Sequence, residues 1–314
     1  MNGAESLLRS LVNSGVDTCF ANPGTSEMHF VAALDRVDGM RAVLGLFEGV
    51  VTGMADGYAR MAEKPPVTLL HLGPGLANGL ANLHNARRAS SPIVNVVGDH
   101  ATYHAQFDAP LASDIVGFAR PVSAWVHSST SALTVGADAA RAVQVARQAP
   151  GQIATLILPA DVAWLEANSA AGALPLIDTA RVADVTISDI AQTLRTAQST
   201  GARIAILMRG APLRGEGLTA AGKIAAATGA RLLCDTFAPR LERGAHRVVV
   251  ERLPYFAEQL VDSLASVDHL ILVGAKPRCL SLPTQEKNRG ALHPIPRFTI
   301  YRMLTKTVLE RYRH

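Results

Sequence analysis

Short apolar runs alternate with segments of helical periodicity along most of this 314-residue chain, and this alternation constrains the fold more than any other feature. One apolar run, Arg41–Phe47, is followed at once by the segment Glu48–Lys64, whose apolar residues recur at helical spacing. We predict a buried strand and then a helix with an inward stripe of Val51, Met54, Tyr58 and Met61. Because strands that alternate with helices form parallel sheets, the sequence predicts an α/β fold with two parallel-sheet domains.

Three junctions between a predicted strand and the helix after it carry glycines or an acidic residue. The turn Ala21–Glu27 follows the strand Asp17–Phe20, and the segment His71–Gly79 follows the strand Val67–Leu70. The third junction is Glu48, which opens the helix described above. In a parallel α/β sheet, the carboxyl ends of the strands lie along one edge, and ligands bind in the crevice outside it. We therefore expect these junctions to form a ligand site.

The same residues also have structural explanations. Glu48 in the first helical turn complements the helix dipole, and Thr25 or Ser26 can cap the next helix. Asn78 lies in the first turn of a helix predicted over Leu76–Arg88, where a cap explains it about as well as a ligand contact. The residues by themselves leave both interpretations open.

Composition argues against several classes of protein. Hydrophobic residues make up 48% of the chain and charged residues 18%, and no apolar run approaches the ~20 residues that a membrane helix needs. The net charge of +4 is concentrated in residues 278–314, which hold eight basic and two acidic side chains. We therefore predict neither a nucleic-acid partner nor a membrane partner. Three widely spaced cysteines and a start without the pattern of a signal peptide predict a cytoplasmic location.

Changes in composition and hydrophobic periodicity along the chain predict the domain limits. Residues 1–165 form the first α/β domain, and residues 166–184 are Ala-rich with little periodicity, which predicts a linker. Residues 185–277 repeat the alternation of strands and helices and predict a second, Rossmann-like domain that is incomplete. Its glycines do not form a Gly-x-Gly-x-x-Gly fingerprint, so the pattern favours a scaffold over a nucleotide site. Residues 278–314 form a basic tail with a poor hydrophobic pattern.

Four motifs at strand ends carry a resemblance to a known family. They are N-P-G-T at 22–25, F-E-G at 47–49, A-D-G-Y-A-R at 55–60 and H-x-G-P-G-x-x-N at 71–78. In this order they resemble the pyrimidine-binding domain of thiamine diphosphate-dependent enzymes, of the acetolactate synthase large subunit and benzoylformate decarboxylase type. The resemblance covers residues 3–165 and extends more loosely over 185–277, which resembles the central domain of that family.

The resemblance implies roles for particular residues. A glutamate at the position of Glu48 hydrogen-bonds the cofactor's aminopyrimidine, whose imino form generates the C2 ylide that attacks a 2-oxo acid. His71 matches a histidine that serves as acid and base in benzoylformate decarboxylase-like enzymes, and a structural histidine is the alternative. The implied reaction is decarboxylation and carboligation of 2-oxo acids. The implied cofactor-binding residues are Asn22, Pro23, Gly24, Thr25, Glu48, Gly75 and Asn78.

Histidines after the predicted strand Pro92–Val97 bear on the subtype. Pyruvate decarboxylase-like enzymes carry an adjacent pair in this loop, whereas His100 and His104 are separated here. Acetolactate synthase-like chemistry is therefore the closer match, and a decarboxylase of the benzoylformate type is the alternative. Because His100, His104 and Asp108 lie in one loop with no matching cluster elsewhere, we predict no metal site in this chain.

The third domain of the family binds the diphosphate through Mg²⁺ with a Gly-Asp-Gly…Asn motif, which this sequence lacks. A shifted reading frame over residues 278–289 permits F-F-A-Y-P-G-K, which continues the preceding segment much as family members do. We therefore predict a frameshift near codon 277, and a genuine short protein with a divergent tail is the alternative. Some members bind FAD in the central domain, for which this chain shows no motif.

The family's active site lies between two subunits. The resemblance therefore implies a homo-oligomer, a dimer or tetramer, or a partner chain that supplies the diphosphate-binding domain and Mg²⁺. We expect the chain alone to bind thiamine diphosphate weakly and to be inactive, because the diphosphate and Mg²⁺ provide most of the cofactor's affinity. A non-catalytic subunit of a split enzyme is the alternative.

Overall fold

A computed structural model describes residues 1–179, 181–276 and 299–303, the last of these as backbone only. The chain divides into two compact units, Met1–Asp178 and Thr179–His314. Within the described residues, no helix is long and apolar enough to cross a lipid bilayer. The domain limits drawn from the sequence at residues 165 and 185 remain predictions.

The first unit contains a six-stranded sheet in which every neighbouring pair of strands is parallel. The strands are β1 (Thr18–Asn22), β2 (Arg41–Leu44), β3 (Val67–Leu70), β4 (Ile93–Asp99), β5 (Trp125–Ser128) and β6 (Ile153–Pro159). Their order in the sheet is β2-β1-β3-β4-β6-β5, so that β3 and β4 lie at its centre. The helices are α1 (Gly3–Asn13), α2 (Met28–Leu34), α3 (Glu48–Ala62), α4 (Leu72–Ala89), α5 (Ile115–Ala119), α6 (Val135–Arg147) and α7 (Ala160–Trp164).

Helices cover both faces of this sheet, which explains why its central strands are almost wholly apolar. On one face, α1, α2 and α6 pack against the sheet around Leu7, Phe30 and Val143. On the other face, α3, α4 and α5 pack around Val51, Leu83 and Ile115. The predicted α/β fold with parallel sheets is confirmed.

Four polar side chains form a buried ladder across the centre of the sheet. Thr68 on β3 donates to Asn95 on β4 (2.7 Å), and Asn95 Nδ2 donates to the Thr155 hydroxyl on β6 (3.0 Å). The Thr155 hydroxyl also bonds Ser123 (2.7 Å). Thr68, Asn95 and Thr155 are each 0% exposed, and their hydrogen bonds offset the cost of burying them.

Two details of the predicted strand and helix at residues 41–64 are wrong. The strand β2 is shorter than Arg41–Phe47 and is mostly exposed, because it is the edge strand of the sheet. Met61 is 65% exposed, and the buried stripe of α3 instead runs through Val51, Ala55 and Ala59. An apolar run has the same appearance in an edge strand as in a central one, so periodicity could not separate the two.

Helix α4 begins at Leu72, four residues before its predicted start at Leu76. Gly75 therefore lies inside the first helical turn, where its backbone N–H bonds the carbonyl oxygen of His71 at 2.9 Å. This early start brings His71 to the N-cap position of the helix. The glycines and the proline of the motif therefore form the first turn of the helix, although their composition favours a loop.

The segment after α7 is bound to the first unit by hydrogen bonds. Ser6 Oγ donates to the carbonyl oxygen of Ser169 (2.7 Å), and the backbone N–H of Ala171 donates to Ser10 Oγ (2.9 Å). Gln144 Nε2 donates to the carbonyl oxygen of Pro175 (2.6 Å). The first part of the predicted linker thus has defined contacts with α1 and α6.

The second unit contains a five-stranded parallel sheet of order β11-β10-β7-β8-β9. Its strands are β7 (Ile204–Met208), β8 (Arg231–Cys234), β9 (Glu251–Arg252), β10 (His269–Val273) and β11 (Thr299–Met303). Its helices are α8 (Asp184–Thr200), α9 (Gly215–Thr228) and α10 (Ala257–Leu264). Apart from β11, the predicted tail 278–314 lies outside the described residues, and the frameshift remains a prediction.

Candidate functional site

The three junctions predicted from the sequence lie together at the carboxyl edge of the first sheet. Strand β1 pairs with both β2 and β3, so the residues after these strands are neighbours. Asn22, at the end of β1, donates from Nδ2 to the carbonyl oxygen of Gly45 (2.7 Å) and ties the first junction to the segment that leads into α3. A crevice at strand ends is the usual position of a ligand site in this class of fold.

Glu48 is the first residue of α3 and is half-buried. Its Oε2 accepts a hydrogen bond from Asn78 Nδ2 at 3.1 Å. Its Oε1 lies against Gly75, where an added Cβ would be 3.1 Å from this oxygen. The structure thus brings together Glu48, Gly75 and Asn78, and the glycine leaves the carboxylate room that a larger residue would restrict.

Close packing between α3 and α4 holds Glu48 in place. Asn82 Nδ2 donates to the carbonyl oxygen of Gly49 (2.7 Å), directly after Glu48. Thr52 is fully buried, and its hydroxyl donates to the carbonyl oxygen of Gly79 (3.0 Å). A Cβ on Gly79 would lie 2.9 Å from the Thr52 side chain, so glycine at this position allows α3 and α4 to pack closely beside Glu48.

His71 forms a pair with Glu27, a residue that the sequence analysis did not select. His71 Nδ1 lies 2.7 Å from Glu27 Oε2, which also accepts the backbone N–H of Gly24 at 2.7 Å. The side chain of His71 is 24% exposed, whereas that of Glu27 is 0% exposed. Burial raises the pKa of Glu27, although its bonds to Gly24 and His71 act in the opposite direction.

Glycine at two positions makes this pair possible. A Cβ on Gly24 would overlap the imidazole ring of His71, and a Cβ on Gly98 would overlap Glu27 Oε1. Gly98 belongs to β4, so three neighbouring strand ends enclose the pair. The second oxygen of the carboxylate, Oε1, is buried without a hydrogen-bond partner among the described residues.

Pro23 and Thr25 are the other predicted residues of the first junction, and among the described residues neither forms a side-chain hydrogen bond with Glu48 or His71. Pro23 is partly buried and Thr25 is exposed. Neither Thr25 nor Ser26 caps the following helix, because Glu27 itself accepts the Gly24 N–H in the manner of a capping box. Glu27 lies three residues after Gly24, which is the spacing of the glutamate in a capping box. In the sequence alone, this spacing is explained by a helix cap and gives no indication of a functional carboxylate.

Beyond β4 lies a further group of polar residues. The His100 N–H donates to Asp99 Oδ1 (2.8 Å), and burial raises the pKa of Asp99. The rings of His100 and His104 lie 5.7 Å apart, and the Asp161 carboxylate accepts the Thr102 N–H at 3.0 Å. In the part of the chain that the structure describes, no group of three or more His, Cys, Asp or Glu side chains is arranged to hold a metal ion.

Comparison with known proteins agrees with this architecture. Residues 1–118 match the family described as thiamine pyrophosphate enzyme, N-terminal TPP binding domain. Residues 1–118 are therefore similar to the N-terminal domain of the thiamine pyrophosphate enzymes.

Two curated relatives illustrate the similarity in sequence. The Mycobacterium tuberculosis protein IlvX, which bears the name of an acetolactate synthase large subunit, is 57% identical over 276 residues, which are 88% of this chain and 52% of IlvX. The benzoylformate decarboxylase of Pseudomonas aeruginosa is 34% identical over 148 residues, which are 47% of this chain and 28% of that enzyme. The chain thus spans about half the length of IlvX and less of the decarboxylase.

A solved structure shows the same fold. The thiamine diphosphate-dependent 4-hydroxybenzoylformate decarboxylase of Rhodococcus jostii RHA1 superposes with a TM-score of 0.76 at 24% sequence identity. The match covers 88% of this chain and 52% of the decarboxylase. At this identity the likeness concerns the fold.

Proposed function

We propose that the crevice at Glu48 binds the aminopyrimidine ring of thiamine diphosphate, and that this chain is the front part of an acetolactate synthase-like enzyme acting on 2-oxo acids. The observation that carries the proposal is the position of the Glu48 carboxylate, which Asn78 orients and beside which Gly75 leaves space. A half-buried carboxylate at the start of a helix can bond a ring nitrogen with reduced competition from water. The name of the 57% identical relative supports the acetolactate synthase type.

The residues of the crevice fit the pyrimidine end of thiamine diphosphate. The turn Pro23–Gly24 has a backbone on which a flat ring can lie, and Glu48 and Asn78 offer an acceptor and an amide beside it. The diphosphate requires Mg²⁺. The described residues hold no group of three or more His, Cys, Asp or Glu side chains arranged for a metal ion. From the resemblance to the family, we propose that Mg²⁺ and the diphosphate are held by another domain, from a second copy or a partner chain.

When bound, thiamine diphosphate supplies a carbon nucleophile and takes up the electron pair left when a 2-oxo acid loses CO₂. Glu48 would accept a hydrogen bond from a protonated nitrogen of the pyrimidine and would hold the ring over the Pro23–Gly24 turn. His71 accepts and returns protons at its Nε2, because Nδ1 is engaged by Glu27. Glu48 and His71 are the proposed catalytic residues, and Asn22, Pro23, Gly24, Thr25, Gly75 and Asn78 line the proposed cofactor site.

An apolar surface next to Glu48 supports the need for a second subunit. Leu44, Leu46, Phe47 and Val50 are 67%, 89%, 49% and 51% exposed. Exposed apolar groups in such number are typical of interaction surfaces. This surface also favours the second candidate function, a non-catalytic subunit that pairs with a chain bearing the diphosphate-binding domain.

Calorimetric titration with thiamine diphosphate and Mg²⁺ tests the proposed site. We expect weak binding by the wild-type chain, and Glu48→Gln should weaken it by about tenfold or more because a hydrogen bond to a charged group is lost. Glu63→Gln, at the far end of α3, is the matched control and should bind as the wild type does. Equal affinities for all three proteins would contradict the assignment of Glu48.

A further inference from the structure

We propose that Glu27 is a positioning residue that joins the Gly24 turn to the His71 imidazole and leaves Nε2 as the free ring nitrogen. The acid and base role of His71 rests on the proposed function, whereas the orientation of its ring does not. Neither the family match nor the sequence motifs assign a role to Glu27.

The burial of Glu27 indicates that its carboxylate has a specific task. Its side chain has no exposure to solvent, although a carboxylate in the protein interior is costly unless it is hydrogen-bonded. A helix cap needs no such burial, because most capping side chains remain near the surface. Glu27 instead reaches across the end of β3 to Gly98 on β4, where only a residue without a Cβ leaves room.

One oxygen of Glu27 serves two parts of the site. Oε2 accepts the Gly24 N–H and lies 2.7 Å from His71 Nδ1. The imidazole ring also packs directly on Gly24, which has no space for a Cβ on that side. The turn proposed to lie under the pyrimidine and the proposed acid and base are therefore held by the same carboxylate oxygen.

The arrangement determines which ring nitrogen of His71 carries a proton. At a pH where Glu27 is ionised, its carboxylate accepts hydrogen bonds and cannot donate them, so Nδ1 holds the hydrogen that points to Oε2. In the neutral imidazole, Nε2 then has a free lone pair. A neutral His71 held in this way can accept a proton at Nε2 and return it from the same atom.

NMR of the full chain with ¹⁵N-labelled histidine tests the proposal without any cofactor. Two-bond and three-bond correlations of the His71 ring, assigned by their loss in His71→Gln, report which nitrogen is protonated. At a pH where the ring is neutral, we expect a pyrrole-like Nδ1 and a pyridine-like Nε2 in the wild type. Glu27→Gln should weaken this preference, because a neutral amide oxygen is a weaker acceptor for the Nδ1–H than a carboxylate oxygen.

Glu48→Gln is the matched control, because it makes the same chemical change at another carboxylate of the crevice and should leave the His71 tautomer unchanged. A wild-type His71 that carries its proton on Nε2, or a tautomer unaffected by Glu27→Gln, would overturn the proposal. The wild-type spectrum alone shows whether His71 carries its proton on Nδ1 or Nε2, even if Glu27→Gln fails to fold. Because no thiamine is present, failure of the cofactor assignment would appear in the calorimetric titration and not here.

Discussion

Three glycines set the geometry of the candidate site at the scale of single residues. Gly24 makes room for the His71 ring, Gly75 for the Glu48 carboxylate, and Gly98 for the Glu27 carboxylate. Two proposed catalytic side chains and their supporting carboxylate thus depend on positions where a single methyl group would intrude. The loss in free energy of unfolding when that methyl group is added measures how tightly the site is packed.

Gly98→Ala should destabilise the chain by about 1–3 kcal/mol, because its Cβ must displace the buried Glu27 carboxylate. Gly57→Ala is the matched control, since Gly57 is exposed within α3 and a Cβ there meets no atom within 4 Å. The control should gain about 0.5–1 kcal/mol, because alanine favours the helix over glycine. Urea denaturation followed by circular dichroism measures both, and equal stabilities would show that Gly98 has free space around it.

Sequence reasoning located some residues of the site and missed another for physical reasons. Glu48, Gly75 and Asn78 each follow a strand, so the order of elements alone placed them at one edge, and their catalytic and binding roles remain predictions. Glu27 was not selected, because its function depends on contacts with Gly98 and His71 that are distant in sequence. Its local signal was that of a helix cap.

At the scale of elements, strands β3, β4 and β6 are joined by backbone pairing and by the buried polar ladder. The apolar runs Val67–Leu70 and Pro92–Val97 predicted β3 and β4, but the edge position of β2 could not be read from its composition. The ladder adds specificity to the central strands, because a shift by one residue would leave Thr68, Asn95 and Thr155 without partners in an apolar interior.

Asn95→Leu should destabilise the first unit by about 2–4 kcal/mol, because the hydroxyls of Thr68 and Thr155 each lose a hydrogen-bond partner in the core. A triple variant that adds Thr68→Val and Thr155→Val should recover part of the loss, because the two fully buried hydroxyls are then removed. Ser123 loses its bond to Thr155 in this variant, but it is only partly buried. Asn85→Leu on the exposed face of α4 is the control and should change stability by less than about 0.5 kcal/mol. A triple variant less stable than Asn95→Leu would contradict this interpretation.

At the scale of the whole molecule, the candidate site of the first unit lies beside the exposed apolar residues Leu44, Leu46, Phe47 and Val50. The crevice contains the Glu48 carboxylate and the Asn78 amide that we propose for the pyrimidine. The described residues contain no group of three or more His, Cys, Asp or Glu side chains arranged for a metal ion. The parallel α/β fold of both units followed from the alternation of strands and helices. The groups proposed to hold the diphosphate could not be derived from these residues, and their assignment to another domain or chain remains a proposal.

Amide NMR of the ¹⁵N-labelled chain during a titration with thiamine tests the central proposal most directly, because it shows where the ligand lies. Thiamine contains the pyrimidine but no diphosphate, so Mg²⁺ is not needed. We predict that the largest shifts fall on Gly24, Glu48, Gly75 and Asn78, and that they shrink in Glu48→Gln. Shifts that fall elsewhere, or no shifts at millimolar thiamine, would contradict the assignment of this crevice to the pyrimidine.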